Sequence, residues 1–487
     1  MKLVILGGGG FRAPLVHEAV CGSDLIHEVV LHDSSPGRLD AVRRVVEESA
    51  AGREDTPRLR VTTDLREALT GADFVFAALR VGGSAGRIQD ERVALDLGLL
   101  GQETIGPGGL AYALRTIPVM REVARTIADV APNAWTINFT NPAGIITQTM
   151  REVLGDRVVG ICDTPIGLVR RVSRLLGVSL EQDLDRVDYD YIGLNHLGWL
   201  RSVSIDGTDR LPQVLASDDQ LEHVEEARLI GKDWVRATGC LPNEYLYYYL
   251  KTDEAIARIK DSEQTRGQFL HQQQDRFYAH ADGCASPLAL WRDVLHEREA
   301  TYMAEAREAD EERREEDVAG GGYQEVALRV MNALVTGRPE RMILNVGNGT
   351  GRPNTPSGSG PEVAGHPSDD PVRRVGSGPA GRTRLAPGRR VVEGLPDDVV
   401  VEVACTVDGT GVHPLPVAPL GLGMLGQMAR LRASEQAIAD AAATGSRDRA
   451  WEGFSLHPLV DSPRLGRALL EGYSEAHPAI GELLRKP

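Results

Sequence analysis

The sequence predicts an α/β protein built on a Rossmann-like, doubly wound parallel sheet, with a second α+β domain following it. Three observations carry this. A short apolar run, Leu3-Val4-Ile5-Leu6, closes on Gly7-Gly8-Gly9-Gly10. Strand and helix patterns then alternate as far as about residue 185, the signature of repeated βα units. Beyond that point, paired strand patterns are followed by long helical stretches. The 487 residues exceed one compact core, so two domains are expected, at 1–185 and 186–487.

Taken in order, residues 1–7 read as a buried strand, Ala13 to Val20 as a helix, and Glu28 to His32 as a second strand ending at Asp33. Strand, glycine turn, helix, strand and acid is the order of a dinucleotide-binding unit. Glycines let the backbone approach a pyrophosphate, a helix N-terminus favours its charge, and a carboxylate can accept from a ribose hydroxyl. Gly7, Gly8, Gly9, Gly10, Phe11, Arg12 and Asp33 are therefore the candidate NAD-binding residues. Arg12 or Ala13 stands where a third glycine is usual, so a turn without ligand is the competing reading, and for Asp33 a helix cap.

The alternation continues with strands at Phe74 to Leu79, Trp135 to Phe139 and Val158 to Ile161, and a helix over 110–130. Ligands sit at the C-terminal ends of such strands, so Asn141 and Cys162, each following a strand, are expected at one cleft. In the second half, strands are predicted at Asp188 to Leu194, Trp199 to Ile205 and Val399 to Cys405, and a helix from Leu420 to Ala443. Residues 292–317 read as one helix whose alternating Glu and Arg form a solvated face without chemistry. Residues 349–389, rich in Gly, Pro, Ser and Arg, read as a flexible insertion.

Charge and cysteine usage narrow the function. A formal net charge of −16 disfavours nucleic acid, and no stretch is long and apolar enough to span a membrane. Five scattered cysteines without a CxxC pair suit a reducing compartment, and no signal-peptide pattern opens the chain, so a cytoplasmic protein is expected. Any anionic substrate must then meet local arginines. Cys162 and His196 together suit a borderline divalent cation with positions left open for substrate oxygens. Viewed alone, each reads instead as a core residue, Cys162 as a buried small hydrophobe and His196 as a hydrogen-bonded imidazole.

Linked motifs favour the metal reading. Val81-Gly82-Gly83-Ser84-Ala85-Gly86-Arg87, the run Gly101 to Gly109, Asn138 to Gly144, Ile161-Cys162-Asp163-Thr164-Pro165, Gly193-Leu194-Asn195-His196-Leu197 and Gly321-Gly322-Tyr323 together resemble the family 4 glycoside hydrolases. The resemblance implies a lactate/malate-dehydrogenase-like first domain, NAD⁺ and a divalent metal, usually Mn²⁺. It implies glycoside cleavage by redox-assisted elimination: oxidation at C3, removal of the C2 proton, loss of the aglycone, water addition and re-reduction. It implies Cys162 and His196 as metal ligands, Asp163 as proton donor, and Glu103 as the acid that raises a tyrosine's basicity. Arg87, Asn141, Arg266 and Asn195 are implied as substrate-binding residues. Pro242 to Tyr249 resembles the tyrosine segment of the 6-phospho-β-glucosidases, making Tyr245 the expected base and Tyr247 to Tyr249 packing residues.

The chain is thus expected to hydrolyse phosphorylated disaccharides as a 6-phospho-β-glucosidase and to form a homodimer or homotetramer. Asp163 departs from the Cys-Asn pair of many β-specific members, which keeps an α-glycosidase open. A 2-hydroxyacid dehydrogenase and an inactive NAD-binding sensor are the remaining alternatives; the first would leave Cys162 and His196 without a role.

Overall fold

A computed structural model of the chain describes all residues except 181, 184, 308–313, 315–321, 350–384, 386–387 and 486–487. Most of the expected insertion at 349–389 therefore lies outside the described residues. Among the described residues, thirteen strands form one sheet. They are β1 (Lys2–Leu6), β2 (Glu28–His32), β3 (Arg58–Thr62), β4 (Phe74–Ala77), β5 (Trp135–Asn138) and β6 (Val158–Gly160). The rest are β7 (Val187–Leu194), β8 (Leu197–Ile205), β9 (Thr208–Asp209), β10 (Leu241–Pro242), β11 (Glu340–Gly347), β12 (Val400–Asp408) and β13 (Gly411–Pro414).

Strands β3-β2-β1-β4-β5-β6 are parallel and follow the strand order of a dinucleotide-binding sheet. Alternation along each strand divides its side chains between two cores. Leu3, Ile5, Phe74 and Phe76 face one, whereas Val4, Leu6, Val75 and Ala77 face the other with the helix Pro107–Val130. Both faces are covered, which is why the inner strands β1 and β4 are near-continuous apolar runs.

The sheet continues without a break into an antiparallel half. β11 joins β6 where Asn345 pairs with Gly160, and β12, β7, β8 and β10 follow in that order. β7 and β8 form a hairpin whose connection is only Asn195-His196. His196 has φ 65°, a backbone conformation that a non-glycine residue adopts at a cost and that often marks a functional constraint.

One sequence expectation is corrected. The charged helix predicted over 292–317 is interrupted: the helix Pro287–Ala300 ends at Thr301 and a short 3₁₀ turn follows at Ala304–Ala306, while 308–313 and 315–317 lie outside the described residues. An i,i+4 charge pattern continues past this point, but Tyr302 and Met303 turn inward, and Met303, at φ 49°, is buried.

Candidate active site

The cleft lies at the C-terminal ends of the parallel strands, where the loops after β1, β2, β4, β5 and β6 converge. Beside β1 is a groove of about 540 Å³, lined by Gly7, Gly9, Gly10, Phe11, Arg12 and Asp33 among others. Gly7 has φ 83°, and a Cβ there would sit 2.5 Å from the carbonyl oxygen of Ala78. Gly8 lies outside the groove's lining and donates its N–H to His32 O at 2.8 Å. Among the described residues, the N–H groups of Phe11 and Arg12 donate to no protein acceptor, so they are free for an anion at the start of the helix Ala13–Val20. Asp33 is not the helix cap: that is Ser35, and Asp33 accepts from the N–H groups of Gly9 (3.2 Å) and Ser35 (3.0 Å).

A second cavity, of about 530 Å³, adjoins this groove and shares Phe11, Arg12, Phe139, Asn141 and Arg298 with it. It gathers Cys162, Asp163, Asn195, His196, Tyr245, Glu103, Arg87 and Arg266, residues spread over more than a third of the chain. Cys162 follows β6, Asp163 precedes the helix Thr164–Leu175, His196 turns in from the hairpin, and Tyr245 sits on a 3₁₀ turn, Glu244–Leu246.

Cys162 and His196 suit a borderline divalent cation. His196 is held neutral, since burial lowers its pKa to about 4 against the opposing pull of Glu103. Its Nδ1 lies 3.2 Å from Thr104 Oγ1, which orients the ring and leaves the other nitrogen for a ligand. The Cys162 thiol is pushed well above its ordinary range by burial, then by Glu402 and Asp163, so it too calls for nearby positive charge to ionise. Among the described residues no cluster of three or more His, Cys, Asp or Glu side chains is arranged for a metal. A cation here would thus rely on two protein donors and on substrate oxygens.

Tyr245 makes the same demand. Burial, then Glu244 and Cys162, raises its hydroxyl well above the ordinary tyrosine range. Its Oη is 2.7 Å from Tyr302 Oη, which in turn donates to Glu244 Oε1 at 2.8 Å. The other tyrosines of the segment are bonded elsewhere: Tyr247 donates to Glu305 O at 3.1 Å, Tyr248, which also lines the cavity, donates to the Glu305 carboxylate, and Tyr249 stands beside His457.

The expected substrate residues differ in how far they are already engaged. Arg87 donates to Glu91 at 2.7 Å and pairs with Glu103 at 2.9 Å. Arg80 takes the other oxygen of Glu103. Burial alone would raise Glu103, but Arg80 and Arg87 outweigh it and hold this carboxyl far below the usual range. Arg266 donates to Thr301 Oγ1 at 2.6 Å and to Arg298 O at 2.7 Å. Asn141, joined to Pro142 by a cis peptide, lines both cavities, and Asn195 donates to Glu402 at 3.3 Å.

Sequence reasoning missed Arg298, Tyr302, Glu305 and Glu244, all lining the sugar-sized cavity. The first three fall in the segment read as a solvated helix. The available signal was the pair Tyr302-Met303, an apolar interruption inside a charged run.

The model of the family 4 glycosyl hydrolases matches residues 2–178, and that of the family 4 C-terminal domain matches 191–368 and 385–460. A Bacillus subtilis (strain 168) protein named "Probable 6-phospho-beta-glucosidase" is 29% identical, covering 98% of this chain and 97% of its own. The 6-phospho-beta-glucosidase of Escherichia coli (strain K12) is 27% identical, with 98% and 95% covered. A crystal structure of a 6-phospho-alpha-glucosidase from gut microorganisms, in complex with NAD and Mn²⁺, is similar with a TM-score of 0.75 and 25% identity, covering 98% of each chain. Matched along most of its length, the chain belongs to glycosyl hydrolase family 4.

Proposed function

We propose that this protein hydrolyses 6-phospho-β-glucosides, including phosphorylated disaccharides, with NAD⁺ and a divalent cation such as Mn²⁺. The observation that carries the reading is the convergence of Cys162, His196 and Tyr245 in one arginine-containing cavity that opens onto the glycine-loop groove. The β assignment is supported by the names of the two sequence relatives and by the Pro242 to Tyr249 segment.

In this reading Cys162 and His196 hold the cation, and Gly7, Gly9, Gly10, Phe11, Arg12 and Asp33 hold the dinucleotide. When bound, the dinucleotide supplies reversible oxidation at the sugar C3, and the cation supplies polarisation of the neighbouring oxygens. The chain's own part is positional and acid–base. Tyr245 Oη removes the C2 proton, made acidic by the adjacent carbonyl, and Asp163 donates a proton to the departing aglycone oxygen. Asn141 and Asn195 orient the sugar, Arg87 and Arg266 face its phosphate, and Glu103 fixes the guanidinium of Arg87. Water then adds at C1, so the net reaction is hydrolysis.

A second reading, 6-phospho-α-glucoside hydrolysis, is favoured by Asp163 at the start of the helix Thr164–Leu175 and by the name of the structural relative. The test is hydrolysis of paired α and β p-nitrophenyl glucoside 6-phosphates, with and without NAD⁺ and Mn²⁺. The β substrate is expected to turn over, and only with both additions. Turnover of the α substrate alone establishes the second reading; activity surviving removal of both additions overturns either.

A further inference from the structure

Arg298 occupies the last turn of the helix Pro287–Ala300 and lines both the dinucleotide groove and the sugar cavity. The other arginines of the cleft are engaged. Arg87 and Arg80 share Glu103, Arg171 pairs with Glu226, and Arg266 donates to Thr301 and to the backbone carbonyl of Arg298. Arg12 lies over the rings of Phe139 and Tyr323, 4.3 and 4.6 Å from their centroids. Among the described residues the Arg298 guanidinium makes no ion pair, no hydrogen bond and no ring contact.

We propose that Arg298 is a phosphate-binding residue, its guanidinium meeting a phosphoryl group at the junction of the two cavities. The inference rests on the reading above, that the cleft takes a phosphorylated sugar beside a dinucleotide. Its support is electrostatic. Burial, then Arg12 and Arg266, lowers the pKa of Arg298 to about 9, with Glu103 opposing. A partly buried cation among cations is unfavourable until an anion joins it. A phosphate offers several oxygens to the planar fork, giving paired, charge-assisted bonds. Arg266, by bonding the carbonyl of Arg298, fixes the backbone from which that fork projects.

The phosphoryl group has two sources, the sugar and the dinucleotide, and binding measurements separate them. The full-length protein, Arg298→Gln, Arg298→Lys and, as control, the exposed Arg292→Gln are titrated calorimetrically with glucose 6-phosphate, glucose and NAD⁺, with unfolding curves recorded for each. Loss of roughly tenfold or more in Kd for glucose 6-phosphate in Arg298→Gln, with NAD⁺ affinity unchanged, assigns the sugar phosphate. The same loss for NAD⁺ alone assigns the pyrophosphate. Arg298→Lys is expected to fall between and serves as the test if the glutamine variant does not fold. Wild-type affinity for both ligands in folded Arg298 variants overturns the inference and leaves the function intact. A wild-type protein binding neither ligand overturns both.

Discussion

The ring of Tyr245 lies against the imidazole of His196, with centroids 3.8 Å apart and planes inclined by 22°. Both partners are fixed from behind. The N–H of Tyr245 donates to Asn243 Oδ1 (3.0 Å), and the Asn243 amide donates to Tyr191 Oη (3.2 Å). Tyr191 donates to Glu402 (3.2 Å), which also accepts from Asn195, the residue before His196. A buried polar chain therefore ties the tyrosine turn to the hairpin tip, and such fully bonded networks set geometry firmly.

This arrangement predicts graded effects for two hydroxyl deletions. Tyr245→Phe keeps the ring contact but removes the proposed base, so kcat is expected to fall by ~10²–10⁴-fold with NAD⁺ binding unchanged. Tyr302→Phe removes the 2.7 Å partner of Tyr245 and its link to Glu244, and kcat is expected to fall by roughly tenfold with KM unchanged. Steady-state kinetics on a chromogenic glucoside 6-phosphate checks both. Equal activity of Tyr245→Phe and the wild type would remove this tyrosine from the chemistry.

Cys162 predicts the response to metal removal. Chelation by EDTA should abolish hydrolysis, and added Mn²⁺ should restore it. Because burial keeps the thiol protonated, cation binding must release its proton, and affinity should strengthen as pH rises. Cys162→Ser should weaken Mn²⁺ binding at least about tenfold, read from the electron paramagnetic resonance signal of free Mn²⁺. An unchanged binding isotherm would exclude Cys162 as a ligand.

β1, β2, β4, β5 and β6 were legible because a strand buried on both faces is a continuous apolar run, bounded by turn residues. β3 was missed because it is an edge strand with two exposed positions, and its arginines hide the pattern. β11, Glu340–Gly347, went unread although it joins the two halves of the sheet, since its pairing with β6 is non-local. At the site, Cys162, His196 and Tyr245 were legible from local motifs. Arg298 and Tyr302 carry no motif, and their place depends on where the preceding helix stops. Glu402 was hidden too: nothing in Val400–Asp408 marks one carboxylate as buried beneath the hairpin tip.

Stability should depend on pH through His17, away from the cleft chemistry. The residue is buried on the helix Ala13–Val20, and burial, with Arg53 second, lowers its pKa from 6.5 to about 4. The unfolded chain then binds a proton below about pH 6.5, whereas the folded chain stays unprotonated until about pH 4. The unfolded state holds more protons in that window, so stability is complete above it and is lost as pH falls through it, by at most about 3 kcal/mol. His17→Gln removes this contribution and leaves those of His196, lowered to about 4, and His457, lowered to about 3, both buried. Urea unfolding at pH 7 and pH 4.5 should therefore show a smaller loss of stability in the variant than in the wild type. Parallel losses would mean that His17 is free to protonate in the folded protein.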